Sequence, residues 1–361
     1  MVTPAINPVV NAAAPAYQVR AGDVSADEQA ILEVWQEGGM GLSAGLEADR
    51  ERFRWFYLAN PEGRAFLNLL SASGSEAPVG FLGIGLRRFF MGDEALLAGT
   101  LVDFVVSPRH RSAFPALTLQ RKGRELALRA VQFLYGLPDT KAVAVCKRLE
   151  SHVRFELPRF ARVIRSRPYF ERLVPAWVAT PLATFTDVLD RAGTRLQLLF
   201  SGLHGQWARE FDSNFDALWQ SVNKQGLCIG VRDRAFLQWR FGQQPGHNYL
   251  IFVVRKRSSS ELQTYFVCEA SAKTLTVKDW LSSAAEGDLK AALLLLSVAA
   301  RKLGVGAVEI QISGTQSQRK ALPRAQFVLR SHRPFFAVVG EPLRERAAAL
   351  RWYITQADED I

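Results

Sequence analysis

The sequence predicts a mixed α/β protein, with a largely antiparallel sheet and flanking helices, built as two copies of one unit in tandem. Three observations carry this expectation. Segments of period-two apolar alternation are interleaved with segments of helical period. A chain of 361 residues suits two domains of ordinary size. Landmarks of the first half also recur in the second at a constant offset of 184 residues. Trp35-Gln36 matches Trp219-Gln220, closing the helical segments AILEVWQ and NFDALWQ. Trp55 matches Trp239, Pro61 matches Pro245, and the strand Ala65–Leu70 aligns with Tyr249–Val254.

In chain order, Met1–Ala16 is rich in Pro, Ala and Asn and reads as a flexible tail. Tyr17–Arg20 is a first strand, and Ser25 with Glu28 predicts a capping box opening a helix over Ala26–Gln36. A second helix spans Gly45–Tyr57, stopped by Asn60-Pro61. Three strands follow, Ala65–Ala72, Val79–Phe89 and Ala95–Val106, turned at Gly74-Ser75 and Gly92-Asp93. A turn and a helix lead to the strand Val131–Tyr135, a helix over Asp139–Leu149 and a strand over Val153–Ile164. Tyr169–Arg195, with Pro175, Pro181 and a short helix Leu182–Arg191, reads as a connector. The expected organisation is therefore a tail (1–16), a first domain (17–168), a connector (169–195) and a second domain (196–361). In the second domain, KDWL at Lys278–Leu281 echoes VDFV at Val102–Val105.

Bulk properties narrow the function classes. Hydrophobic residues make up 48% and charged ones 22%, as in a globular protein. The net charge of +10 favours an anionic partner: a phosphorylated cofactor, an acidic carrier protein, a nucleic acid or a lipid surface. The basic residues are scattered without aromatic interleaving, which ranks nucleic acid low. Cys146, Cys228 and Cys268 lie far apart in apolar sequence, against a disulfide framework or a zinc site. The histidines show no ligand spacing, so no metal is expected. The richest apolar run, Ala291–Ala300, is closed by Arg301-Lys302 and is too short to span a bilayer. No signal-peptide pattern opens the chain, and the expected compartment is the cytoplasm.

One stretch combines chemistry with geometry: LVDFVVSPRHRSAFPA, Leu101–Ala116, with LTLQRKGRELALRAV behind it. The strand stops at Ser107-Pro108, passes through Arg109, His110 and Arg111, and re-enters structure at Ser112. Ser112 suits a helix cap and Pro115 a first helical turn. A strand, a basic turn and a helix N-terminus can hold an anion, because free N–H groups and the helix dipole point the same way.

This stretch and the element order resemble the GCN5-related N-acetyltransferase (GNAT) superfamily in a tandem form. That family carries V-x-P-x-x-R-x-x-G-x-G/A, matched here at Val106, Pro108, Arg111 and Ala116. The later segment GLPDTKAVAVCKRL, Gly136–Leu149, is similar to the family's N-x-x-A-x-x-x-Y-x-K-x-G-F helix, with Asp139 at the Asn position. The resemblance implies that backbone amides of the turn bind the pyrophosphate of coenzyme A and that the preceding strand splays to pair with pantetheine. The positions concerned here are Val105, Val106, Arg109, Arg111, Ser112, Ala113, Phe114 and Ala116. Phe114 stands where the first loop glycine is expected, adding bulk over the phosphate position. Cys146 replaces a Tyr that often protonates the departing thiolate, and Glu150-Ser151 replaces Gly-Phe. In the second copy SSAAEGD, Ser282–Asp288, has no Arg and two acids, which repel a pyrophosphate.

The individual residues have competing roles. Arg109 and Arg111 are phosphate candidates, since guanidinium binds phosphate oxygens bidentately, or ordinary surface arginines. Asp103 is a mid-strand carboxylate fit to be a general base, but Asp279 recurs at the matching position and favours a shared structural role equally. Tyr135 can donate a proton or belong to the core. Cys146 reads as an inert buried thiol, and the recurring Trp residues as packing. Gly80, Gly83 and Gly85 mark a bulge or close packing, not a nucleotide loop. The resemblance implies transfer of an acetyl or longer acyl group from an acyl-CoA to a small amine acceptor by direct attack. The alternatives are a non-catalytic binding module, or a transferase using an acidic acyl carrier protein or an aminoacyl-tRNA as donor.

Overall fold

The computed structural model describes residues 16–359 apart from Ser43 and Lys141, so the expected tail lies outside the described residues. The first half runs β1 (Tyr17–Gly22), α1 (Glu28–Gly38), α2 (Leu46–Tyr57), β2 (Phe66–Ala72), β3 (Pro78–Met91) and β4 (Glu94–Val106). It continues through α3 (Ala113–Ala127), β5 (Phe133–Gly136), α4 (Val143–Lys147) and β6 (Val153–Val163). A short α5 (Arg167–Phe170) and a long α6 (Ala176–Leu199) follow. The second half runs β7 (Leu203–Ala208), α7 (Ser213–Ser221), β8 (Leu227–Gly230) and α8 (Arg234–Leu237), which passes into a π-helical turn over Gln238–Gly242. Then come β9 (Leu250–Lys256), β10 (Leu262–Ala270), β11 (Thr274–Ser282), α9 (Glu286–Lys302), β12 (Ala307–Gln311) and α10 (Gln316–Arg324). The chain closes with β13 (Val328–Val339), α11 (Arg344–Ala349) and β14 (Arg351–Tyr353).

The mixed sheet has the order β1-β2-β3-β4-β5-β13-β6-β12-β11-β10-β9-β7, with β8 attached to β3 and β14 to β8. Its middle is an exchange. β6, from the first half, pairs with β12 of the second, and β13 returns to pair with β5. β6 and β13 run antiparallel to each other at the centre. The order therefore reads alike from both ends.

Of the matched Trp residues, Trp55 and Trp239 meet across the two halves. Trp55 and Trp239 stack with ring centroids 5.3 Å apart. The indole N–H of Trp55 donates to Trp239 O at 2.8 Å, and that of Trp239 donates to Trp55 O at 3.0 Å. Two buried indoles thus satisfy each other's donors across the seam.

Some local expectations differ. The Ser25/Glu28 capping box does not form: α1 starts at Glu28, behind Asp27. Asp27 is instead claimed by the Arg20 guanidinium, and Asp23 accepts the N–H groups of Ser25 and Ala26. Ser112 holds the N-cap position of α3 in extended conformation but its side chain makes no cap bond. α4 is shorter than Asp139–Leu149, because Asp139 opens a turn by accepting the Ala142 N–H at 2.7 Å. The connector helix is much longer than Leu182–Arg191, running through Pro181 near its first turns.

Candidate active site

The site begins with a defect in β4. Phe81 faces Val105, but Gly83 faces Val102, so Asp103 and Phe104 together oppose Leu82. This is a bulge, and Asp103 takes the left-handed φ of 49° that it demands. An L-residue held there costs free energy, which partners must offset. Arg52 from α2 ion-pairs with Asp103, and the Tyr57 hydroxyl donates to its other oxygen at 2.5 Å. Gly83 makes room, since a Cβ there would stand 2.1 Å from Tyr57 Oη. We expect Gly83→Ala to displace Tyr57 and cost about 1–3 kcal/mol by overpacking, read as a lowered urea midpoint. An unchanged midpoint would refute this packing.

Beyond the bulge the sheet opens. β4 and β5 pair in parallel through Ala98–Phe133, Gly99–Leu134 and Thr100–Tyr135, and there the pairing stops. β4 runs on to Val106 while β5 ends at Gly136, leaving a wedge whose β4 edge has no strand partner among the described residues. Such an edge is a template for an extended ligand. The second half has the same parting, since β11 and β12 pair only as far as Val277–Ile310. There the chain's own last residues fill it. Thr355 bridges to Ile312, Ser313 N–H donates to Ile354 O, and the Thr355 hydroxyl donates to Asp279 at 2.7 Å. Among the described residues only the first wedge is open.

At the far end of β4, Pro108–His110 form a 3-10 turn and α3 begins at Ala113. The first-turn N–H groups of Ala113 and Phe114 have no intrahelical acceptor and Pro115 has no N–H to satisfy, whereas that of the expected Ala116, at the fourth helical position behind the Ser112 cap, is taken by the helix's own first hydrogen bond. Arg109 is exposed. Arg111 is turned back: its guanidinium donates to Val106 O and Gly38 O, tying β4 to the end of α1. His110 bonds the Tyr17 hydroxyl at 3.1 Å. The exposed Phe114 ring lies 6.0 Å from Tyr17 and lines a groove of about 610 Å³ with Leu117, Arg121 and Lys122. Val105 and Val106 are buried, so only their backbone is available to a ligand.

Asp103 and Tyr135 are not brought together. Tyr135 is sealed among Phe89, Phe133, Phe335 and Trp352, and burial pushes its phenol well above the ordinary range. Cys146 is buried beside Arg124, and burial raises its thiol too.

Sequence reasoning passed over a second set of residues. The Arg333 guanidinium donates to Leu137 O, just past β5, at 2.5 Å and to the Glu359 carboxylate at 2.8 Å. Glu359 therefore lies one guanidinium away from the mouth of the wedge. Its other oxygen, Oε1, is out of solvent and has no hydrogen-bond partner among the described residues. Burial lifts the Glu359 carboxyl above its usual range, against the pull of Arg333 and Arg240. Arg240 joins Glu359 O to Gln244, which lines a pocket of about 230 Å³ with Met40, Leu42, Arg52, Trp55 and His247. Both halves thus build this pocket. No group of His, Cys, Asp and Glu suited to hold a metal occurs among the described residues.

Solved GCN5-related N-acetyltransferases share this fold. A probable N-acyltransferase from Enterococcus faecalis V583 superposes with a TM-score of 0.61 at 9% identity, over 92% of this chain and 74% of that one. A GCN5-related N-acetyltransferase from Anabaena variabilis gives 0.61 at 12% identity, over 91% and 74%. The N-myristoyltransferase of Saccharomyces cerevisiae, with bound myristoyl-CoA, gives 0.50 at 11% identity, over 90% and 79%. No family model and no curated protein matches the sequence.

Proposed function

We propose that this protein is an acyl-CoA-dependent N-acyltransferase, and that its halves are an internal duplication with working parts in 17–168, a connector at 169–195 and a degenerate copy at 196–361. The observation that carries the reading is the open wedge between β4 and β5, set against the closed one between β11 and β12. In this reading pantetheine pairs with the free edge of β4, while the first-turn amides of Ala113 and Phe114, with Arg109 and Ser112, face the pyrophosphate. Arg111 shapes the turn from behind. The acceptor amine enters by the Trp55–Gln244 pocket and attacks the thioester carbonyl: the N–C bond forms, the C–S bond breaks, and the thiolate leaves with a proton. Glu359 removes a proton from the acceptor ammonium, its raised pKa making it a stronger base than an ordinary carboxylate. Asp103 holds the bulge, a structural role matched by Asp279 in the second half. An acyl carrier protein as donor finds no support among the structural neighbours.

Isothermal titration with acetyl-CoA and longer acyl-CoAs tests this. Binding is expected, and Arg109→Ala should weaken it about tenfold through loss of a charge-assisted phosphate contact. If no acyl-CoA binds, the fold serves as a binding module instead.

A further inference from the structure

The strongest surface feature lies outside the site, on α6. Trp177, Phe185, Val188, Leu189, Leu199 and Phe200 are all exposed, Trp177 by 80% and Phe200 by 88%. At helical spacing these residues share one face, an apolar arc wider than about 100°. The opposite face is accounted for. Ala179, Ala183 and Thr194 are buried, and Asp190 takes Arg162 at 2.7 Å and Arg301 at 2.5 Å, pinning α6 to β6 and α9. The helix's other acid, Asp187, accepts the Ser166 N–H. Both acids are therefore turned to the protein. Arg191 and Arg195 are exposed along one edge of the apolar arc and form no ion pair among the described residues. Leaving such a face in water is unfavourable, so something covers it.

We propose that α6 is a membrane-surface helix that lays its aromatic face into the interface of an anionic lipid leaflet. The charge pattern selects this occupant. The rim of the patch is basic and the chain carries a net charge of +10, which complements anionic headgroups and sets a second copy of the chain against its own charge. Trp177 and Phe200 stand near the two ends of the helix, so both ends insert together. α6 lies on the bilayer rather than across it: no helix among the described residues is long and apolar enough to span one, and α6 itself carries four charges, Asp187, Asp190, Arg191 and Arg195. This proposal is independent of the reading of the wedge.

The test is flotation of the full chain with large vesicles of phosphatidylcholine alone and of phosphatidylcholine mixed with phosphatidylglycerol. Binding to the anionic vesicles is expected, with a blue shift of the exposed Trp177 emission. The triple variant Trp177→Ser, Phe185→Ser, Phe200→Ser should lower the partition coefficient more than about tenfold, the loss of deep apolar contact. Arg191→Glu with Arg195→Glu should lower it for anionic vesicles and not for neutral ones. An unchanged thermal melt shows that each variant is folded, as their exposure predicts. Failure to bind vesicles, or binding indifferent to the triple variant, overturns the proposal. So does a dimer in analytical ultracentrifugation that the triple variant dissolves, which would make the face a self-interface.

Discussion

Glu359→Gln is expected to lower kcat about 10²–10⁴-fold with a saturating amine acceptor, while acyl-CoA binding stays within a factor of about two. The amide keeps the size of the carboxylate and can still accept from Arg333, so the shape is kept while the charge and the basicity are lost. The pH profile separates this role from simple packing. Because burial raises the Glu359 pKa, the active, deprotonated form accumulates only as pH climbs above the ordinary carboxylate range. The acidic limb of the kcat/KM profile should therefore lie at unusually high pH in the wild type and disappear in Glu359→Gln. A variant that keeps both the rate and the limb would remove Glu359 from the mechanism and leave the acyl-CoA reading standing.

The largest stability loss should come from Asp279→Ala. Asp279 is fully buried and accepts from the Arg232 guanidinium at 3.0 Å, the Tyr265 hydroxyl at 2.6 Å and the Thr355 hydroxyl at 2.7 Å. Truncation strands three donors, one of them charged, in a water-free core. Breaking such a buried pair costs about 3–5 kcal/mol, which urea unfolding would register as a lower midpoint. Asp358 still faces Arg232, which keeps the loss from being larger. Thr355 belongs to the segment that carries Glu359, so turnover should fall alongside stability. A midpoint shift worth less than about 1 kcal/mol would mean that the network relaxes around the gap.

Much of this was visible in the residues alone. Period-two patterns located β2, β3 and β4 to within a few positions, and the constant offset marked Trp55 and Trp239 as equivalent packing residues, but not that they stack on each other. The basic turn and helix start at Ser107–Ala116 were legible for the same local reason. The exchange of β6 and β13 was not, since strand pairing across more than a hundred residues leaves no periodic trace. Glu359 was passed over because nothing near it in sequence shows that Arg333 and Arg240, 26 and 119 residues away, hold it. The apolar face of α6 escaped because Pro175 and Pro181 punctuate it as a linker, whereas Pro175 caps the helix and Pro181, inside it, is carried by the packing of the opposite face on β6 and α9.

The central strand exchange has a consequence for synthesis on the ribosome. When β5 and β6 have emerged, β5 can pair with β4 on one side only and β6 has neither of its final neighbours: β13 and β12 are still to be made. The first half waits with exposed strand edges while the second is translated, and its sheet closes only with the last tenth of the chain. Chains cut short before β13 keep those edges, the kind of surface on which strands of other molecules assemble.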